Sequence, residues 1–262
     1  MRVDPYVIET GRGRPVVLLH AFPLNASMWM PQREAIGTTH RVITPDQRGF
    51  GGTHLGHDEP SLDEVADDIA AMLDGRKIDR VVLGGLSMGG YVAMAFLRRH
   101  RERVSALVLA DTKLGPDSTE AAANRLRVAD EVIAAGTSAQ LVDELLPSLL
   151  GETTMQRRAL VLGRVKALLE KAPPYAVAWA QRAMAARPDS TADLAAVDVP
   201  TLVLVGEEDT LSPPGEAELI AKTVPGAELV RIPDAGHLTA VEAPAAFNEA
   251  LAGFLAGLPD DA

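Results

Sequence analysis

The 262-residue chain contains no cysteine. That excludes a disulfide framework, thiolate catalysis and any zinc site built on cysteine. Aromatic residues make up only 4% of the chain while apolar residues reach 47%, so the core has to be assembled from Ala, Val and Leu. Positive charge is also short: 25 Lys and Arg stand against 36 Asp and Glu, a net charge of −11. Such a balance disfavours nucleic acid or an anionic membrane surface as a partner. No apolar run approaches the ~18 residues of a membrane-spanning helix, and the opening MRVDPYVIETGRGRP carries no apolar signal-peptide segment. The expectation is a soluble cytoplasmic protein without membrane association, sized for one large α/β domain or a domain with an insertion. A homo-oligomer is compatible with these properties, which fix no stoichiometry.

What is present centres on Val81 to Met94, VVLGGLSMGGYVAM. A short apolar run from Val81 to Leu83 suits a strand buried on both faces. It runs through Gly84-Gly85-Leu86-Ser87-Met88-Gly89-Gly90 into a helical pattern with Val92, Ala95 and Phe96 on one side, and Arg98, Arg99 and His100 suit that helix's C-terminus. Strand, tight turn and helix with a serine at the apex is the context of a nucleophile elbow. Gly85 and Gly89 flank Ser87 where strand and helix nearly touch. The amide of Met88 opens the helix and points at a developing oxyanion.

Further strands are expected at Tyr6–Glu9, Val16–His20, Arg41–Thr44, Val104–Ala110, Thr201–Val205 and Ala227–Ile232. They alternate with amphipathic helices, as a mostly parallel, doubly wound sheet requires. One such helix starts at Ser61, which forms a capping-box pattern with Glu64 and precedes the stripe Leu62, Val65, Ile69, Met72 and Leu73. From Lys113 to Ala196 the alternation stops and only helical patterns occur, with starts suggested at Thr137 and Thr153. This block is an insertion, leaving residues 1–112 and 197–262 as the core.

A serine hydroxyl needs a base, and the base an orienting acid. His40, His54, His57 and His100 fall in polar loops or helix ends, and His20 ends a buried strand and reads as structural. His237, directly after the last strand in Asp234-Ala235-Gly236-His237, falls on the strand-end edge where α/β sheets bind ligands. Asp209, in Gly206-Glu207-Glu208-Asp209, is the expected acid. Asp111, after Val104–Ala110, competes for that role on the same edge. The order Ser87, Asp209, His237 suits the elbow architecture. A second oxyanion donor is expected from the backbone N–H of Phe22, because Pro23 has none to give.

Over essentially its whole length the sequence resembles the α/β-hydrolase family. The likeness is carried by Leu18-Leu19-His20-Ala21-Phe22-Pro23, Asp46-Gln47-Arg48-Gly49-Phe50-Gly51, Gly85-Leu86-Ser87-Met88-Gly89-Gly90, Gly206-Glu207-Glu208-Asp209 and Gly236-His237. The resemblance implies an α/β-hydrolase fold in which 113–196 is a helical cap roofing the active site. The serine nucleophile resembles that of esterases and lactonases, not the aspartate of haloalkane dehalogenases or epoxide hydrolases. The elbow is similar to that of 3-oxoadipate enol-lactonases and related carboxylesterases, whereas His20-Ala21-Phe22-Pro23-Leu24 resembles cofactor-free haloperoxidases, or perhydrolases. Ala21 departs from the more common glycine and crowds the oxyanion loop.

The expected activity is hydrolysis of a small carboxylic ester or lactone through an acyl-enzyme, with no metal or organic cofactor. Perhydrolysis, carbon–carbon bond hydrolysis and a non-enzymatic ligand receptor on the same fold are the alternatives. In the cap, Trp179, Met155 and Tyr175 are candidates to line the substrate pocket, each with cap–core packing as the competing role. Arg125, Arg157 and Arg182 are candidates to bind a substrate carboxylate, against a solvated helix face.

Overall fold

The computed structural model describes residues 2–259. Seven strands form one sheet: β1 (Val7–Thr10), β2 (Pro15–Leu19), β3 (Arg41–Pro45), β4 (Val81–Leu86), β5 (Val104–Ala110), β6 (Thr201–Gly206) and β7 (Glu228–Ile232). Their spatial order is β1-β3-β2-β4-β5-β6-β7. All neighbouring pairs are parallel except β1, which runs antiparallel to β3 at the edge. The central strands read as continuous apolar runs because both faces are covered: every residue of β4, β5 and β6 is buried. Alternate residues feed two separate cores. Val17, Leu19, Leu83, Leu107 and Leu109 pack on one side, and Val16, Leu18, Val82, Ala106 and Val108 on the other.

Helices α1 (Met30–Ile36), α2 (Leu62–Gly75) and α3 (Met88–His100) link β2 to β3, β3 to β4 and β4 to β5. The stripe Leu62, Val65, Ile69, Met72 and Leu73 of α2 is buried as its spacing predicts. Ser61 caps α2 by accepting from Asp63 N at 3.2 Å. Glu64 does not complete the box, because its carboxylate turns to Arg48 at 3.4 Å. Charge attraction to a buried guanidinium wins over a neutral backbone donor.

Between β5 and β6 the chain forms α4 (Thr119–Ala135), α5 (Gln140–Leu149), α6 (Glu152–Arg157), α7 (Ala159–Leu169), α8 (Pro174–Ala185) and α9 (Thr191–Ala195). The sheet pattern then resumes with α10 (Pro214–Thr223), α11 (Thr239–Glu242) and α12 (Pro244–Ala256). Among the described residues no helix is long and apolar enough to cross a membrane.

The chain reverses its direction of travel across the sheet between β2 and β4, which are neighbours though β3 separates them in sequence. Such a switch point opens a crevice at the carboxyl ends of the two strands. Phe22 follows β2 and Ser87 follows β4, so both lie at its mouth.

Candidate active site

Ser87 sits between β4 and α3 with φ 55° and ψ −114°. For a non-glycine residue that is a strained conformation, costing about 1–3 kcal/mol, which only surrounding structure sustains. Here Ser87 N donates to Ala110 O at 2.9 Å, and Thr112 Oγ1 donates to Ser87 O at 2.9 Å. The flanking glycines are steric necessities. A Cβ on Gly85 would lie 2.1 Å from Gly89 O, and one on Gly89 would lie 2.1 Å from Leu19 O.

The turn aims the hydroxyl at His237, whose Nε2 is 2.7 Å from Ser87 Oγ. Across the ring, Nδ1 is 2.9 Å from Asp209 Oδ2. The other oxygen of Asp209 accepts from Leu211 N and Ser212 N, both at 2.8 Å. Asp209 and His237 are each 3% exposed, so neither competes with water for its partner. Three side chains separated by 150 positions of sequence are thus joined by hydrogen bonds, and the imidazole meets Asp209 rather than Asp111.

Asp111 occupies a different place. It is fully buried, with a left-handed φ of 46°. Its Oδ1 accepts from Gly206 N at 3.0 Å, and its Oδ2 accepts from Thr239 N at 3.3 Å and bonds the Thr239 hydroxyl. Burial first, and then the charge of Asp209, push the Asp111 carboxyl well above its usual range. Asp111 therefore ties the end of β6 to the segment after His237.

His20, fully buried, braces the loop that carries Phe22. Its Nδ1 lies 3.0 Å from Ala21 O, and its Nε2 accepts from Gln47 N at 2.9 Å. Burial holds its pKa down. That pattern belongs to a neutral ring with the proton on Nδ1. Gln47 closes the link by donating Nε2 to His20 O at 2.7 Å.

Two carboxylates given no role by the sequence, Glu242 and Glu208, hold this edge together. Glu242, 2% exposed, accepts from Gly236 N at 3.0 Å and Leu238 N at 3.1 Å, the amides on either side of His237. Its second oxygen accepts from Gly151 N at 2.8 Å, in the turn between α5 and α6. Glu208, next to Asp209, accepts from Thr153 N at 2.9 Å. The helical block is thereby fastened to both loops that bear the acid and the imidazole. Gly151 and Gly236 touch backbone to backbone there, since a Cβ on Gly236 would lie 2.2 Å from Gly151 N. The one sequence signal was an acid, Glu242, set among Leu238, Ala240, Val241 and Ala243, and periodicity says nothing about its partners.

A cavity of about 420 Å³ opens over Ser87 and His237. Phe22 and Leu211 line it from the sheet side, and Leu141, Leu145, Leu149, Val128 and Met184 from the helical block. Met88, as first residue of α3, has an N–H without an intrahelical acceptor. The three aromatic and thioether candidates do not line this cavity. Trp179 turns its indole N–H to Asp58 O at 3.0 Å and lies under the Arg48 guanidinium, 5.9 Å from the ring centre. Tyr175, in the first turn of α8, is 68% exposed, and Met155 lies in a shallow depression with Leu150 and Glu208. An amphipathic ring settles where its polar edge finds an acceptor, and for Trp179 that is the core side. Arg182 pairs with Asp130 at 2.8 Å, Arg157 is exposed, and Arg125 alone of the three arginines reaches the cavity wall.

Residues 14–244 match the family model described as alpha/beta hydrolase fold. The chain belongs to this family. Among solved α/β hydrolases it is similar to a thermophilic esterase from Thermogutta terrifontis with malate bound, at 43% identity and a TM-score of 0.95, covering 98% of this chain and 94% of that one. The enol-lactonase from Burkholderia xenovorans LB400 is similar at 26% identity and a TM-score of 0.89, covering 97% of each chain. Non-heme chloroperoxidase CPO-A1 of Kitasatospora aureofaciens is 29% identical over 87% of this chain and 86% of its own. This α/β hydrolase therefore sits among relatives named as esterases, lactonases and haloperoxidases.

Proposed function

We propose that the protein is a serine hydrolase that cleaves a small carboxylic ester or lactone through an acyl-enzyme. The observation that carries this reading is the unbroken hydrogen-bond chain from Ser87 through His237 to Asp209 at the floor of a cavity. Ser87 Oγ adds to the ester carbonyl carbon while its proton passes to His237 Nε2. Asp209 orients the ring and balances the imidazolium. The N–H groups of Phe22 and Met88 hold the oxyanion, each worth about 2.7–4 kcal/mol of transition-state stabilisation. Collapse expels the alcohol oxygen, which takes the proton from His237. Water, deprotonated by His237, then frees the acid and restores Ser87. Residues 113–196 act as the cap over this chemistry.

A fluorophosphonate probe is expected to label Ser87, and hydrolysis of a 4-nitrophenyl ester of short acyl chain should fall about 10⁴-fold or more in Ser87→Ala. Retained turnover in that variant overturns the reading. Perhydrolysis is the second reading, supported by Pro23 in the oxyanion loop and by similarity to the chloroperoxidase. In it hydrogen peroxide replaces water at the acyl-enzyme and a peracid leaves. Peracid formation from acetate and peroxide, lost on replacing Pro23, would favour it.

A further inference from the structure

We propose that Arg125 and Lys113 form a carboxylate subsite on the cap wall of the cavity, so that the preferred esters or lactones carry a negative charge away from the scissile carbonyl. This rests on the reading of Ser87 as nucleophile.

The chain as a whole is strongly acidic, at −11, and its field repels anionic ligands. The cavity wall runs against that balance. Arg125 and Lys113 both line it. Arg125 is held rigidly by two neighbours. Its Nε donates to Asp117 Oδ2 at 2.5 Å and its Nη1 to Gln181 Oε1 at 2.9 Å. Neither bond uses Nη2, which leaves donors in a fixed plane for a ligand oxygen.

Asp117 does not cancel this charge, because it serves two guanidiniums. Arg187, itself buried, reaches Asp117 at 2.8 Å from behind, stacked on the Tyr91 ring at 4.2 Å. Burial opposes ionisation of Asp117, but the hydrogen bond and charge of Arg125, with Arg187 behind, hold its carboxyl below the usual 3.8. One carboxylate between two cations leaves a net positive charge. Lys113 adds another, and no ion pair among the described residues engages it. Glu144, the other acid on the wall, is exposed, and water screens it. An arginine already immobilised loses little side-chain freedom on binding, so a carboxylate there gains most of the charge-assisted bond.

The test compares 4-nitrophenyl glutarate monoester, which is charged, with 4-nitrophenyl pentanoate, of the same length and neutral. Arg125→Gln and Lys113→Met should each lower the charged-to-neutral ratio of kcat/KM about fivefold or more, chiefly through KM. A smaller change in both overturns the subsite. Wild-type protein gives a second readout that needs no variant. Glutarate should compete with pentanoate ester more tightly than glutaramide does, and that advantage should shrink as salt rises. Equal inhibition by both compounds also overturns the subsite. Failure of the serine reading looks different: Ser87→Ala would keep turning over the neutral ester.

Discussion

Asp209 and Asp111 follow neighbouring strands, β6 and β5, yet they sit in different environments. Asp209 accepts two backbone N–H groups and faces an imidazole, an environment made for a carboxylate. Asp111 is buried beside that charge, and its carboxyl is raised well above 3.8. A carboxyl held up in this way resists placing a second negative charge beside Asp209. The stability consequence has a definite sign. A carboxyl whose folded pKa exceeds its unfolded value contributes fully below the unfolded value, and the contribution declines as pH rises toward the folded one. Asp111→Asn removes this ionisable group while keeping an oxygen for Gly206 N. Urea unfolding should therefore find the variant gaining on wild type between pH 4 and pH 8. Asp111→Ala, which leaves Gly206 N and Thr239 N without partners, should cost about 1–3 kcal/mol at every pH. If the Asn variant instead loses ground as pH rises, Asp111 is ionised in the folded protein.

At the scale of elements, the sheet and the elbow were legible in the sequence for one reason. Strands buried on both faces must be apolar throughout, so β2, β4, β5 and β6 announce themselves, and strand ends in such a sheet share an edge. That rule alone brought the neighbourhoods of Ser87, Asp209 and His237 to one side. What was not legible is how elements clasp each other. The antiparallel turn of β1 depends on a backbone register with β3 that no side-chain pattern encodes. The role of Glu242 depends on amides at Gly151, Gly236 and Leu238, and backbone donors leave no trace in a sequence. The structure ascribes to Glu242 the fixing of the backbone on both sides of the imidazole. Glu242→Gln keeps shape but sets an NH₂ against at least one of those three donors. It should slow fluorophosphonate labelling of Ser87 about tenfold to a hundredfold, the effect of a small misplacement of the base, with kcat falling more than KM changes. Gly151→Ala attacks the same clasp from the side of the helical block, since its Cβ would lie 2.3 Å from Glu208 Oε2 and 2.7 Å from Gly236 N. Full-rate labelling in both variants would mean that the clasp holds the helical block and not the base.

On the scale of the whole molecule, two of the contacts that seat the helical block on the sheet domain differ in what they hold. One is the carboxylate clasp just described. The other is Trp179, buried on α8 with its N–H on Asp58 O and its ring under Arg48, whose guanidinium is in turn paired with Asp58 and with the buried Asp68. That residues 113–196 are helical was readable from the sequence, with Trp179 a candidate either for the pocket or for packing on the core. Which of the two it met was not, because a helical pattern does not say what buries a given side chain, and for Trp179 the answer was the core. The two anchors should separate experimentally. Trp179→Ala empties a large buried volume and should cost about 3–5 kcal/mol, a fall in Tm of roughly 10 °C for a domain this size. Trp179→Phe keeps a ring under Arg48 but loses the hydrogen bond to Asp58 and part of the indole volume, so its cost should be smaller, about 1–2 kcal/mol. Because Ser87, His237 and Asp209 hang on the sheet and on the other anchor, labelling of Ser87 well below the melting point should proceed at the wild-type rate in both variants. Loss of labelling in Trp179→Phe, at unchanged Tm, would show instead that the seat of α8 reaches the site directly and that helical block and sheet act as one body.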